Sequence, residues 1–206
     1  MVSRWRPLDS IKGRSHYKTL IGAVTNVIVI ERCGEMATKK QEELIHSFLS
    51  GLSEENRPIY EELILQLSEL GYRPYIQRSY IVFKHKLHNK QMAKMGYKRK
   101  GNAPYFQLRF SACRGYSQRF EEIVGAHVVK KSFREAQCIY HRCDYCMGEA
   151  FSHVYSYVLP SGEEKYQCGA AALEIPDITV DDIEEIKKLI REEHVYLMKY
   201  EAGIEI

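Results

Sequence analysis

The chain reads as an α+β fold: a helix-flanked antiparallel sheet, a small zinc-knuckle β-hairpin module and a C-terminal helix. Three observations predict it. Apolar residues recur at helical spacing in two early segments and one late one. They alternate with polar residues in the middle of the chain. Five of the six cysteines fall between positions 113 and 168, just before the last helix. Among 206 residues, 45% are apolar and 28% charged, a globular composition that excludes wholesale disorder. The longest apolar run, 20–30, is about half the ~20 residues a membrane span needs, and no small-residue cleavage site follows it. Six cysteines are too few for a disulfide scaffold, and their clustering suits metal binding in a reducing cytosol, so a cytoplasmic location without membrane partners is expected.

Residues 1–35 lack helical periodicity and hold one strand candidate, 23–30. Met36-Ala37-Thr38-Lys39-Lys40 resembles an ordinary start, and Gly34-Glu35 could be encoded by a purine-rich ribosome-binding sequence. Two readings stand for 1–35: a translated leader, or a strand with a basic arm. From Lys39, the residues Leu44, Ile45, Phe48 and Leu49 share a helical face that Gly51 closes. Ser53 is expected to cap a second helix, with Pro58 in its early turns, a stripe of Ile59, Leu63, Leu67 and Leu70, and Gly71 as its stop. Arg73-Pro74 reads as a break. Strands are expected over 79–85 and 105–112, with 90–97 adding a short element before the turn at Lys100-Gly101-Asn102. In 105–112 the alternation sets Phe106, Leu108 and Phe110 on an apolar face and Tyr105, Gln107 and Arg109 on a polar one. Ser117 caps a short helix carrying Phe120, Ile123 and Val124 that should end near Gly125. Strands 153–159 and 164–168 flank a Pro160-Ser161-Gly162 turn. Thr179-Val180-Asp181-Asp182 is a capping box opening a helix striped with Ile183, Ile186, Ile190 and Leu197. The domains expected are an atypical segment 1–35, an α+β body 36–135, a cysteine module 136–172 and a C-terminal helical segment 173–206 that packs on the body.

Cys138-x4-Cys143-x2-Cys146-x21-Cys168 carries the sharpest chemistry. A Cys-x2-Cys pair converges two thiolates on one tetrahedral ion, and Gly148 suits the turn. The hairpin would bring Cys168 back as the fourth ligand. Structural zinc accepts four such ligands, and His141 is the reserve. A redox pair would need a strand before the motif and a helix after it. Cys33 and Cys113 lie outside this spacing and read as plain thiols.

The run Pro104-Tyr105-Phe106-Gln107-Leu108-Arg109-Phe110-Ser111-Ala112, then Tyr116-Ser117-x2-Phe120, Cys143-x2-Cys146 and Tyr166-x-Cys168-Gly169-Ala170, resembles a family of small cytosolic proteins from Gram-positive bacteria. So does the tail with Ile175-Pro176 and Asp181-Asp182-Ile183-x2-Ile186-Lys187-x-Leu189-Ile190. The body is similar, more weakly, to YdhG-like domains, whose fold is a frataxin-like α/β sandwich. The resemblance spans about 53–200. It implies that fold and a metal knuckle, and brings no catalytic residues. In the family pattern the first cysteine lies closer to the Cys-x2-Cys pair than Cys138 does here.

Net charge is only +3, yet residues 73–134 carry +13 between acidic flanks of −4 (36–72) and −6 (173–206). Lys84, Lys86, Lys98, Arg99, Lys100, Arg109 and Arg114, interleaved with aromatics, could share one exposed face that binds single-stranded nucleic acid or an anionic small molecule. The competing reading has the acidic helices docking on these cations and neutralising them. His85 and His88 read as solvated. The functional reading is a zinc-stabilised binding or regulatory protein without catalysis. Single-strand binding through 73–134 is the alternative. A second alternative is a small enzyme with a sheet–helix cleft, for which Arg109, Tyr105 and His85 are the polar candidates. No phosphate loop, nucleophile elbow or dinucleotide fingerprint occurs.

Overall fold

The computed structural model describes residues 38–101, 103–128 and 154–201. Helix α1, Lys39–Ser50, starts where the Thr38 N–H donates to Gln41 Oε1 at 2.9 Å, and it buries Ile45, Phe48 and Leu49. It stops at Gly51, against which the Tyr97 hydroxyl packs where a side chain would sit. Ser53 Oγ accepts from the Asn56 N–H at 3.3 Å, so it caps a lead-in turn, and α2 itself runs Asn56–Glu69 with Pro58 in its first turn. Gly71, at φ 85°, turns the chain into the sheet.

Four strands follow: β1 Tyr72–Gln77, β2 Tyr80–His85, β3 Gln91–Tyr97 and β4 Pro104–Leu108. Helix α3 is Gln118–Val128, β5 Tyr155–Val158 and β6 Glu164–Gln167 form a separate hairpin, and β7 is Leu173–Glu174. A 3-10 turn, Val180–Asp182, leads into α4, Ile183–Glu201. The main sheet has the order β1-β2-β3-β4-β7, antiparallel throughout.

Directly paired residues share a face. The pairs Ile81–Met95, Met95–Phe106, Phe83–Ala93 and Leu108–Leu173 therefore build the inner face. Helices α1 and α2 lie on it: Phe48 packs edge-on to Tyr60 and against Tyr97, and Tyr60 meets Phe106. The stripe Ile183, Ile186, Ile190 and Leu197 is buried as expected, and the Thr179 N–H donates to Asp182 Oδ2 at 2.8 Å to open α4. The fold is thus α+β, with an antiparallel sheet and a C-terminal helix.

The short element expected over 90–97 forms as the interior strand β3, whereas three local expectations need correction. Arg73-Pro74 is not a break: Pro74 sits inside β1, tolerated because β1 is an edge strand whose outer side has no partner strand in this sheet. The strand expected over 105–112 ends at Leu108: the Arg109 N–H still donates to the Met92 carbonyl of β3 at 2.8 Å, but beyond it the Phe110 N–H goes to the Tyr155 hydroxyl and the Ala112 N–H to Glu193. Helix α3 runs through Gly125 to Val128, since that glycine makes room for the Tyr157 ring instead of ending the helix. The strand candidate 23–30, and all of 1–35, lie outside the described residues.

Candidate nucleic-acid interface

The second face of the sheet alternates with the core. The pairs Gln77–Tyr80 and Gly96–Tyr105 place Tyr80 and Tyr105 on it, on either side of Gly96. A Cβ on Gly96 would come within 2.7 Å of the Tyr80 ring, so glycine lets that ring lie flat across β3. The two tyrosine rings stand 5.2 Å apart at 46°, and Lys94 Nζ sits 4.1 Å from the Tyr80 centroid and 5.7 Å from that of Tyr105. The next rows add Tyr75, which is 45% exposed, and the cross-strand cation pair Arg73–Lys84. Arg78 stands exposed in the two-residue β1–β2 turn at φ 59°. Arg99 and Lys100 are exposed in the β3–β4 turn at the same end of the sheet.

Electrostatics follow from this crowding. Burial and then Arg78 lower the Lys94 pKa, as a cation among cations must behave. Burial, Glu174 and Tyr80 push the Tyr105 hydroxyl up to about 12. Glu174 meets Lys98 at 2.8 Å, which neutralises one cation of the predicted set. Helices α1, α2 and α4 pack on the inner side, and the strand register sets Lys84 and Lys94 on the opposite face.

The seven predicted cations therefore divide. Lys84 lies on the outer face, and Lys98, Arg99 and Lys100 gather at its β3–β4 end, while Lys86 is exposed in the β2–β3 turn at the opposite end. Two leave the set. Arg109 is 3% exposed, its Nε 2.6 Å from Glu193 Oε1. Because the chain turns inward after Leu108, the expected polar side of Arg109 became interior. Arg114 donates to the carbonyls of Ser111 and Cys113 and borders a surface depression of about 460 Å³ beside α4, lined by Arg191, Glu192 and Val195. Lys94, Arg73, Arg78 and Tyr80 were missed as site members. The alternation of 91–97 against 80–85 was the signal, hidden by Gly96 and a bulge between Phe83 and Lys84.

The enzyme candidates do not converge. Tyr105 is on the outer face, whereas Arg109 and His85 are buried on the inner side. His85, expected in solvent, is 4% exposed because it pairs with Tyr72 across β1 and β2. Of the proposed zinc ligands, Cys138, Cys143, Cys146 and the reserve His141 lie outside the described residues. Cys168 follows β6 in a turn closed by the Ala171 N–H donating to its carbonyl at 3.1 Å. Among the described residues no three His, Cys, Asp or Glu side chains form a metal-capable group. Cys113 is a core thiol, 3.3 Å from the Leu189 carbonyl, with its pKa raised chiefly by burial. No described helix is long and apolar enough to cross a membrane. No protein-family model matches the chain, and neither the curated proteins nor the solved structures compared with it include a match.

Proposed function

We propose that the protein binds single-stranded nucleic acid on the outer face of its five-stranded sheet. The observation that carries this reading is the Tyr80–Lys94–Tyr105 group, with an ammonium between two aromatic rings on the face turned away from the packed helices. Bases have π-faces that stack on tyrosine whatever their identity, and each stacked base contributes about 1–3 kcal/mol. Lys84, Arg73 and Arg78 would meet phosphates along the strand, with Arg99 and Lys100 extending the track. Extending further, we infer that Cys138, Cys143, Cys146 and Cys168 hold a structural zinc ion that braces the β5–β6 hairpin, with His141 in reserve, and that the body belongs with the frataxin-like sandwiches.

Fluorescence anisotropy with a labelled 12-nucleotide oligonucleotide at low salt tests the interface. Tyr80→Ala or Tyr105→Ala should weaken binding by about fivefold or more, in keeping with the loss of one stacked base. Arg114→Ala, away from this face, should leave affinity unchanged. Equal affinities for all three variants would remove the sheet face from the reading.

A further inference from the structure

A group of histidines at the opposite end of the sheet has no part in the interface. His85 ends β2, His88 lies in the following turn and His194 comes from α4. The His85 and His88 rings stack at 4.4 Å and 18°, and the His194 ring lies 5.5 Å from that of His85. Tyr72 is edge-on to all three, at 5.0, 6.1 and 5.7 Å. What the ring nitrogens do decides the chemistry. The Leu87 N–H donates to His85 Nδ1 at 3.3 Å, the Lys90 N–H donates to His88 Nδ1 at 3.1 Å, and His194 Nδ1 pairs with the Tyr72 hydroxyl at 3.3 Å.

A backbone N–H can only donate, so Nδ1 of both His85 and His88 must present a lone pair. Each ring is therefore the neutral tautomer with its proton on Nε2. With Nδ1 occupied and Nε2 protonated, these rings are not poised as metal ligands. They are poised against acid, because a proton on Nδ1 would set donor against donor. The turn would lose the side-chain bonds that support it, leaving only the backbone bonds from the Asn89 N–H to the His85 carbonyl at 2.9 Å and from the His85 N–H to the Lys90 carbonyl at 3.2 Å, and a stacked neighbour would face a new cation.

We propose that the β2–β3 turn, residues 86–90, is an acid-released latch held shut by His85 and His88 acting as hydrogen-bond acceptors. The surroundings favour the shut, neutral state. Around His88 stand the His85 and His194 imidazoles, the Lys90 ammonium and the Arg109 guanidinium, all of which disfavour a further cation. Tyr72 offers only a hydroxyl, with its own pKa raised by burial. Glu193, the carboxylate next to His194 in α4, is already held by Arg109, the Ala112 N–H and the Ser111 hydroxyl. The buried His88 Nε2 finds no partner among the described residues, so nothing there compensates a charged ring. Burial, with these neighbours, brings His88 down to about 4. Released, its ring returns to the ordinary value near 6.5. The latch then weakens about tenfold for each pH unit below about 6.5, until His88 charges in place near pH 4. Opening would release the backbone N–H groups of Lys86 and Leu87, whose side chains are already exposed.

Residue-resolved amide exchange on the full chain tests this, and it separates the latch from Glu193, whose burial raises its own pKa. Between pH 7 and pH 5, protection factors at Leu87 and Lys90 should fall by about thirtyfold, while Ile64 and Leu108 hold. His88→Asn keeps an acceptor oxygen at the Nδ1 position and does not titrate, so its Lys90 amide should stay protected at pH 5. Unchanged protection in the wild type, or an equal loss at Lys90 in His88→Asn, would overturn the latch. If the variant does not fold, ring NMR of the wild type decides. His88 taking up a proton while the Lys90 amide signal stays in place would contradict the proposal.

Discussion

Glu193 is a carboxylate with no exposure to solvent, and its energetics illustrate what single residues contribute here. Burial raises its pKa, while Arg109, the Ala112 N–H and the Ser111 hydroxyl pull it back. Taking both charges out of water costs several kcal/mol, which the 2.6 Å contact and the added hydrogen bonds offset. Glu193→Gln should leave the Arg109 cation buried without a counterion and lower stability by about 3–5 kcal/mol, read as a drop in urea midpoint. Such a pair is illegible in the sequence, because its partners stand 84 positions apart and each looks like a surface charge. The histidines hid for the same reason. Spaced i, i+3, His85 and His88 read as solvated until Tyr72 and His194 closed over them. His88 has its folded-state pKa below the unfolded one, so its share of stability is complete above about 6.5. That share declines as pH falls and is exhausted near 4. Thermal melts from pH 7 to 4 should show this decline, and His88→Asn should flatten it.

At the scale of elements, periodicity identified what periodicity can. The stripes of α1, α2 and α4, the Gly71 stop, the Gly162 turn and the Thr179 cap all follow from local rules. What escaped depended on neighbours. Pro74 is acceptable only because β1 has one partner strand, and Gly125 continues α3 because Tyr157 of β5 fills the space beside it. Gly125→Ala would set a Cβ 2.5 Å from that ring, so it should destabilise by about 1–3 kcal/mol, with partial recovery when Tyr157 is shortened to Leu. A thermal shift measures both. The hairpin tests the zinc proposal at this same scale. Chelation should release β5–β6 amides to exchange before those of β1–β4, and Cys143→Ser should do the same without chelator. Identical exchange with and without chelator would argue against a bracing metal.

Across the whole molecule, charge is sorted by side. The −4 and −6 of the flanking segments are spread over α2, α4 and the turns that lead into them, while much of the +13 of residues 73–134 faces outward or gathers at the strand turns. The excess was legible from the sequence, but its placement was not. Arg109 went inside, Lys98 paired with Glu174, and Lys94 emerged between Tyr80 and Tyr105 once β3 proved to be an interior strand. Ion pairs between this segment and the acidic helical region do form, at Arg109–Glu193 and Arg119–Asp182, yet neither uses a cation of the outer face. A surface so sorted attracts a polyanion, and the attraction is set by counterion release. Salt dependence of binding to a single-stranded oligonucleotide is therefore the most direct measurement. With about four phosphates contacted, affinity should fall roughly fiftyfold between 50 and 200 mM salt. No binding at 50 mM salt, or an affinity indifferent to salt, would contradict the account.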